Sequence, residues 1–448
     1  MSSWIQKAGI KPGTAVLSSA GAENIRDQEV DRWVRHYKNR LIKEADLASI
    51  TALEPMERKQ TIERLISAMI EEERVIIPSQ VMQEIIKQLI NESVGYGPLE
   101  ALLEDDEITE IMVNGPKAIF IEKKGRLEKT NVRFKDENHI RHIIDRIIAP
   151  IGRRIDESSP MVDARLHDGS RVNAAIPPVS LDGPVISIRK FKRDPFAMED
   201  LIQFGSFHPV MGEFLKALVK AKCNILVSGG TGSGKTTLLN VLSSAIPPGE
   251  RIVTIEDMAE LRFNYDNLVR MEARPPNMEG TGEIAIGHLV KNALRMRPDR
   301  IIVGEVRGTE ALDMLQAMNT GHEGSLTTVH ANSPKDALGR LEAMVIMSGL
   351  PLSVDVIRGY FVGALDIIVQ SERLTDGKRR LVNISEITED NGKVYLKDIF
   401  RFSRKGTDEL GRVLGDFEAT GYIPEAYQKI RSFGLTLSDD IFKEGTLE

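Results

Sequence analysis

The stretch ILVSGGTGSGKTTLLN, residues 225–240, has the residue types and spacing of a phosphate-binding turn. Glycine has no Cβ, so a glycine-rich turn lets backbone N–H groups come close to an anion. The spacing Gly229-x4-Gly234-Lys235-Thr236 matches the P-loop pattern, which places the lysine on the β- and γ-phosphates and the threonine hydroxyl on Mg²⁺. The pattern predicts a nucleotide site formed by Gly229, Gly230, Thr231, Gly232, Ser233, Gly234, Lys235, Thr236 and Thr237.

Two carboxylates follow apolar runs further along the chain, where predicted strands end. Transfer of a phosphoryl group to water requires Mg²⁺, a group that orients the water, and cations that stabilise charge. RIVTIEDMAEL ends its apolar run in Glu256, and RMRPDRIIVGEVRG ends its run in Glu305. We expect Glu305 to act on Mg²⁺ through water and Glu256 to polarise the attacking water. Each carboxylate alone could equally be a structural surface residue.

Two histidines lie in the Gly/Thr-rich stretch GHEGSLTTVHANSP. A histidine at a strand end is often only a hydrogen-bonded structural residue. His322 and His330 have no cysteine at metal-ligand spacing, so a zinc site is not expected. Contact with the nucleotide and a purely structural role stay open for both.

Composition indicates a globular protein, with 448 residues, 41% hydrophobic residues and a net charge of −7. The negative charge gives no sign of a nucleic-acid partner. The only cysteine, Cys223, is expected in the core. The N-terminus has no apolar run typical of a signal peptide, and no stretch is long enough to span a membrane. The sequence predicts a cytoplasmic protein with no direct membrane span.

The order of patterns along the chain predicts an α/β protein of several domains. Helical spacing is followed by glycine-punctuated strands, and strands then alternate with helices, which is typical of a mostly parallel sheet. In the last part we expect strand segments 224–228, 251–255, 268–272, 301–305 and 325–330. Hairpins around Asp376-Gly377 and Asn391-Gly392 are expected after Ile367. The predicted domains are a disordered tail (1–26), a helical bundle (27–92), an α+β domain (93–190), a linker (191–204) and a P-loop domain with a polar, helical C-terminal tail (205–448).

The motifs and their order resemble those of the secretion ATPase superfamily of type II secretion, type IV pili and type IV secretion. TIED resembles its Asp box, RPDRIIVGEVRG its Walker B motif, and GHEGSLTTVHAN its His box. GYGPLEALLEDDEITEIMVNGP and the extra N-terminal helices are most similar to the CpaF/TadA group, which energises tight-adherence (Flp-type) pilus assembly. The absence of CxxC pairs argues against members that carry a zinc-binding element.

The resemblance implies a fold, cofactors and partners. It implies a PAS-like α+β domain before a RecA-like P-loop ATPase domain, ATP and Mg²⁺ as ligands, and a homo-hexamer. It implies integral inner-membrane platform proteins as partners and peripheral membrane association through them. Family positions match Glu256, Glu305 and His330. Arg171 and Arg189, and less so Arg165, would reach the nucleotide from the α+β domain. Without the resemblance, pairing with nearby acids is favoured for these arginines.

Cations and function both have alternatives at this stage. Arg297 and Arg307 are further candidate cations, because they bracket the Walker B strand. A conjugative type IV secretion ATPase shares every motif with the pilus motor. A RecA-like nucleic-acid motor is a different class, disfavoured by the negative charge. A nucleotide-binding scaffold without turnover is disfavoured by the presence of both Glu256 and Glu305.

Overall fold

The computed structural model describes residues 19–44, 50, 53, 55–74, 77–93, 95–191, 195–276 and 281–447. They form two compact units, of which the first runs to residue 192 and the second begins at residue 193. Each unit has its own hydrophobic cores. Within the described ranges, no helix combines the length and the apolar character that crossing a bilayer requires.

Three packed helices begin the first unit, as the apolar spacing predicts. Apolar residues recur every three or four positions, so each helix has one face to bury. Tyr37 and Leu41 of the first helix are buried with Ile66 of the second and Leu89 of the third. The helices are α1 (Ser19–Glu44), α2 (Pro55–Glu72) and α3 (Ser79–Ser93).

The first helix begins earlier than its apolar pattern indicated. It starts at Ser19 instead of Asp27. Residues 19–26 include alanine, glutamate and arginine, which favour helix even without an apolar face. Residues 1–18 of the expected tail lie outside the described residues. The helical N-terminal part is confirmed.

An antiparallel six-stranded sheet forms the rest of the first unit. The short helix α4 (Glu100–Glu104) precedes it, and α5 (Glu137–Ile148) lies between its third and fourth strands. Its strands are β1 (Ile108–Asn114), β2 (Ile119–Lys123), β3 (Arg126–Lys129), β4 (Met161–Arg165), β5 (Arg171–Ala175) and β6 (Val185–Arg189). The spatial order is β3-β2-β1-β6-β5-β4. The predicted α+β organisation is confirmed.

Local sequence explains how the helix and a turn of this sheet form. Asp136 caps α5, because its side chain accepts a hydrogen bond from the backbone N–H of His139 at 2.8 Å. Isoleucines of α5, among them Ile140 and Ile144, are buried in the same core as the inward residues of the strands. Lys124 and Gly125 both have positive φ, which suits the two-residue turn between β2 and β3.

The second unit is built on a ten-stranded sheet. Its strands are β7 (Ile225–Gly229), β8 (Ile252–Glu256), β9 (Leu268–Glu272), β10 (Arg300–Val306), β11 (Leu326–His330), β12 (Ile367–Arg373), β13 (Arg379–Asp390), β14 (Lys393–Thr407), β15 (Val413–Ala419) and β16 (Gly445–Thr446). The spatial order is β9-β8-β10-β11-β7-β12-β13-β14-β15-β16. The first six are parallel neighbours, and the last four add on antiparallel. The five predicted strand segments all lie in this sheet, with ends that differ by one residue at most.

Helices cover the two faces of the parallel part, as expected for a RecA-like α/β domain. They are α6 (Met198–Gln203), α7 (Pro209–Lys220), α8 (Lys235–Ser243), α9 (Ile286–Ala293), α10 (Glu310–Asn319), α11 (Pro334–Ile346), α12 (Val354–Ala364) and α13 (Ala426–Ser432). Side chains of a strand alternate between the faces. Ile225 and Val227 of the central strand β7 therefore pack in one core, and Leu226 packs in the other.

A fully buried arginine fixes the amino end of the parallel sheet. Arg300, the first residue of β10, is 0% exposed. Its guanidinium donates to the carboxylate of Glu250 at 2.7 and 3.0 Å and to the carbonyl of Val219 at 2.7 Å. A buried ion is tolerated only when it is paired and hydrogen-bonded in this way. The opposite, carboxyl edge of the sheet is where the P-loop begins.

The C-terminal part differs from its prediction. The hairpins expected around Asp376-Gly377 and Asn391-Gly392 join β12 to β13 and β13 to β14. The polar, helical tail expected after them contains a further strand, β15, and α13 is only a short helix. Tyr427, Ile430 and Phe442 are buried in the main core. The aromatic ring of Phe442 lies 5.5 Å from that of Phe214 and 5.1 Å from that of Tyr427. The prediction was wrong because a few widely spaced apolar residues, hidden among charges, supply the buried contacts.

We expect Phe442→Ala to destabilise the second unit by about 3–5 kcal/mol, the range for removing a buried aromatic side chain. Phe433→Ala is the matched control, because Phe433 lies in the same segment with its side chain 47% exposed. Phe433→Ala should lower the free energy of unfolding by only about 0.5 kcal/mol. Urea unfolding of the full chain measures both, and equal losses would contradict a core role for the segment.

Candidate functional site

The residues singled out by motif converge at one edge of the parallel sheet. The P-loop follows β7, Glu256 is the last residue of β8, and Glu305 is the second-last residue of β10. His330 is the last residue of β11 and pairs in register with Gly229. Because these strands run parallel, their carboxyl ends lie at the same edge, where open α/β sheets bind ligands.

The turn after β7 requires glycine at its first position. A Cβ on Gly229 would lie 2.4 Å from the Ser233 hydroxyl and 2.4 Å from the Ser371 carbonyl oxygen. Gly232 and Gly234 have φ of +69° and +95°, a conformation that side chains other than glycine rarely adopt. The loop can therefore fold back on itself only with this set of glycines.

The loop leads into the N-terminus of α8, which suits an anion. Gly234 is the N-cap, so the N–H groups of Lys235, Thr236 and Thr237 belong to the first turn of the helix. The first N–H groups of a helix have no partner within it, and the helix dipole favours negative charge there. Lys235 Nζ donates to the carbonyls of Gly229 at 3.0 Å and Gly230 at 3.2 Å. The cradle fits a phosphate chain.

The carboxyl group of Glu256 is almost completely buried. Glu256 is 3% exposed, and its Oε2 accepts from the N–H groups of Glu260 at 2.7 Å and Leu261 at 2.9 Å. Its Oε1 is buried and makes no hydrogen bond to the described residues. Burial raises the pKa of this carboxyl to about 7, although the two N–H donors lower it. Glu256 can thus exchange a proton near neutral pH.

Gly304 explains how two carboxylates fit on neighbouring strands. A Cβ at Gly304 would lie 2.9 Å from Cγ of Glu256. The Thr328 hydroxyl of β11 donates to the Gly304 carbonyl at 2.7 Å and holds this backbone in place. The Gly-Glu pair of the second motif therefore has a steric cause, since the glycine leaves room for the side chain of Glu256.

Arg307 links the second carboxylate to the first motif. Its Nη2 and Nε lie 2.5 and 2.9 Å from Oε2 of Glu305. Its Nη1 lies 3.5 Å from Oδ2 of Asp257. The candidate cation Arg307 is thus at the site edge, where it bridges two acids. Arg297 precedes β10 and lies at the opposite, amino edge, because a seven-residue strand is about 20 Å long.

The two histidines lie in different places. His330 is at the site edge, and its pKa is lowered first by burial and then by the charges of Lys235 and Arg340. Its imidazole is therefore neutral at neutral pH and can donate or accept a hydrogen bond. His322 precedes β11 at the amino edge, with Nδ1 3.3 Å from the Ala317 carbonyl oxygen. That position suits the structural role for His322.

The arginines of the first unit form a row across three strands. Arg165 pairs in register with Arg171, and Arg171 pairs with Arg189. Residues paired in this way share a sheet face, and here it is the face that points away from the core. Asp163 is one of the acids near these arginines, and its Oδ1 lies 3.8 Å from Nη2 of Arg171. Three arginines are therefore adjacent on the face of this sheet that points away from the core, with Asp163 on the same face.

Motif analysis missed two arginines of the second unit. Arg379 Nε donates to the Gly232 carbonyl at 2.9 Å. Nη1 of Arg373 lies 3.5 Å from the position a Cβ would take on Gly232. The signal in the sequence was the basic turn SERLTDGKRRL, far along the chain from the P-loop. Nothing in the local pattern of this turn indicates that the strand before it, β12, lies beside β7.

Comparison with known proteins agrees with this geometry. The family model of type II/IV secretion system proteins matches residues 92–391. A Mycobacterium tuberculosis protein, named only as a candidate conjugal transfer protein, is 37% identical over 330 residues, or 72% of this chain and 93% of its own. The type IV secretion system protein VirB11 of Bartonella quintana is 32% identical over 349 residues, or 68% of this chain and 96% of its own.

A solved structure was also found, the VirB11 ATPase of Brucella suis in complex with sulphate. It is 30% identical and covers 64% of this chain and 91% of its own length, with a TM-score of 0.35. On the family match and the curated relatives, the chain belongs to the type II/IV secretion system protein family, that is, to the secretion ATPase superfamily.

Proposed function

We propose that this ATPase is a hexameric motor that powers assembly of a tight-adherence (Flp-type) type IV pilus. The observation that carries the ATP-hydrolysing role is the buried Glu256 carboxyl, with a pKa near 7, at the same sheet edge as the P-loop. A scaffold that only binds nucleotide has no need to bury an ionisable group in this position, because burial of a charge is costly.

The residues of the edge divide the chemistry among them. The P-loop backbone and Lys235 bind the β- and γ-phosphates, and the N-terminus of α8 adds its dipole. Thr236 and Glu305 would hold Mg²⁺, with Glu305 acting through water, since both offer the oxygen atoms that Mg²⁺ prefers. The ion, when bound, neutralises charge on the phosphates. His330 supplies a neutral hydrogen-bonding group beside Lys235.

Glu256 is the group we assign to orienting and polarising the attacking water. Its Oε2 is fixed by two backbone N–H groups, so the carboxyl plane is held. Oε1 has no hydrogen bond to the described residues. An ionised carboxylate with one fixed oxygen can accept a hydrogen bond from water on the other.

The finer assignment to a pilus rests on the N-terminal part. The family match begins at residue 92, so the helices α1, α2 and most of α3 precede it. This extra helical segment resembles the tight-adherence group, as do the stretches GYGPLEALLEDDEITEIMVNGP and DARLHDGSRVNAAIPPVSLDGPVISIRKF. A conjugative type IV secretion ATPase is the second candidate, because relatives carry the names conjugal transfer protein and VirB11. We further propose a cytoplasmic protein that is recruited to the inner membrane by integral platform proteins.

Lys235→Ala should abolish hydrolysis and leave the fold intact, because it removes the cation from the phosphate chain. Lys216→Ala is the control, since Lys216 is an exposed lysine paired with Glu199. Steady-state phosphate release measures both. In cells, a strain with Lys235→Ala should lose surface filaments and keep plasmid transfer. Loss of transfer with intact filaments would favour the conjugative candidate.

Glu256→Gln should bind ATP at about parental affinity and hydrolyse it roughly 10²–10⁴-fold more slowly. Glu305→Gln should instead raise the Mg²⁺ concentration needed for half-maximal rate. Glu323→Gln, on an exposed carboxylate at the amino edge, is the matched control. Normal turnover by Glu256→Gln would transfer the water-orienting role to Asp257 or Glu305.

The pKa of Glu256 adds a second readout to the same variant. As a base the carboxyl must be ionised, so parental activity should fall as the pH drops below about 7. Its pKa is raised above the unfolded value, so the folded state loses stability as the pH rises from about 4.5 to about 7. Glu256→Gln should therefore become more stable than the parent above pH 7, by on the order of 3 kcal/mol. Thermal melts between pH 5 and 8 measure this difference, and a less stable variant at pH 8 would indicate a structural carboxyl.

We also propose that Arg171 and Arg189 contact the nucleotide and stabilise the charge that develops during hydrolysis, with Arg165 less involved. Arg171→Ala and Arg189→Ala should each keep nucleotide binding measurable and lose most hydrolysis, since such arginines are worth about 10³–10⁵ in rate. Arg126→Ala, on the exposed strand β3 of the same sheet, is the control. If both variants hydrolyse ATP at the parental rate, Arg171 and Arg189 have a structural role only.

A further inference from the structure

The hairpin that joins β12 to β13 presents two arginines at the P-loop. Arg373 ends β12 and Arg379 begins β13, and the two pair in register across the hairpin. β12 is the parallel neighbour of β7, with Ser371 in register with Gly229. The hairpin therefore extends beyond the sheet at the point where the P-loop starts.

Direct contacts fix the hairpin against the loop. The Ser371 hydroxyl donates to the Ser233 carbonyl at 2.6 Å, and Arg379 Nε donates to the Gly232 carbonyl at 2.9 Å. Cδ of Arg379 lies 3.3 Å from the Cβ position at Gly234, and Nη1 of Arg373 lies 3.5 Å from the one at Gly232. Both guanidinium stems thus lie beside the glycines that shape the phosphate cradle.

The charged residues of the two strands lie on different sides of the hairpin. Glu372 and Arg380, which alternate with the two arginines, pair in register with one another. Glu372 binds Arg404 at 2.5 Å, and the Arg380 guanidinium lies 4.5 Å from the ring centre of Phe402. Glu372 therefore makes its ion pair on the side away from the P-loop, and Asp376, the acid at the tip of the hairpin, accepts hydrogen bonds from the backbone N–H groups of Lys378 and Val413.

Two guanidinium groups side by side at the cradle suit a phosphate chain, because guanidinium groups form bidentate, charge-assisted hydrogen bonds with phosphate oxygens. The Nε bond to the Gly232 carbonyl holds the Arg379 guanidinium beside the loop.

We propose that Arg373 and Arg379 are nucleotide-binding residues, which contact the phosphates of a nucleoside di- or triphosphate held in the P-loop of the same chain. The assignment rests on the proposed function of the site. Both cations belong to the second unit, as the P-loop does. They strengthen binding of the polyphosphate chain, whereas Glu256 and Glu305 act on turnover.

The test is the affinity of the full chain for Mg-ADP, measured by calorimetry for Arg373→Gln, Arg379→Gln and the double variant. Each single change should weaken binding about tenfold and the double change about 10²-fold, as expected for charged hydrogen bonds. Inorganic pyrophosphate, used as competitor, should lose affinity in parallel. Arg404→Gln is the matched control, because Arg404 makes its ion pair on the other side of the hairpin, and it should stay within twofold of the parent.

Parental affinity in both single variants, with unchanged melting temperature, would overturn the proposal and leave the arginines as supports of the loop. Arg373→Lys and Arg379→Lys decide the matter if the glutamine variants do not fold, since lysine keeps the charge and loses the bidentate geometry. Their affinities should lie between those of the parent and the glutamine variants. If Lys235→Ala abolishes turnover while these variants bind normally, the proposed function stands and only this inference fails.

Discussion

The parallel register of β7 with both of its neighbours is the constraint on which the site depends. Gly229 is in register with His330 on one side and with Ser371 on the other. A shift by one residue would turn every side chain of a strand to the other face. The glycine turn would then meet a side chain instead of the Ser371 carbonyl. Polar residues in these strands, such as Gln370, whose Nε2 donates to the Ala331 carbonyl at 3.2 Å, help to fix that register.

The register of these strands places a buried carboxyl group, which lowers the stability of the fold, at the edge of the sheet that holds the P-loop. Several side-chain oxygens among the described residues are buried without a hydrogen bond, and those of Ser228, Thr254 and Glu256 lie on β7 and β8. A packed apolar strand end would be more stable than the Glu256 carboxyl. The site edge therefore holds a buried carboxyl at a cost in stability, while the amino edge is held by the ion pair of Arg300 and Glu250. Separation of the two edges lets the core remain stable beside a reactive site.

Local patterns in the sequence were enough for the parallel strands, the helices and the position of the P-loop, Glu256 and Glu305 at one edge. Each depends on a short stretch, such as an apolar run that ends in a charged residue or a glycine. The burial of the C-terminal segment and the position of the arginines at the P-loop depend on long-range contacts instead. Arg379 meets Gly232 only because β12 lies beside β7, and Phe442 is buried only because α7 and β14 form its surroundings. No local periodicity of the sequence indicates either contact.

The cations of this chain differ in how they are attached, and this difference bears on how a motor can be regulated. Arg373 and Arg379 belong to the hairpin that is hydrogen-bonded to the P-loop, so they are part of the same unit as the cradle. Arg171 and Arg189 belong to the other compact unit. A cation that is always present lowers the free energy of bound nucleotide and of the transition state alike, which strengthens binding without raising the rate. Arg171 and Arg189, by contrast, are proposed to act on the charge that develops during hydrolysis. On that proposal, different cations of the chain control binding and hydrolysis.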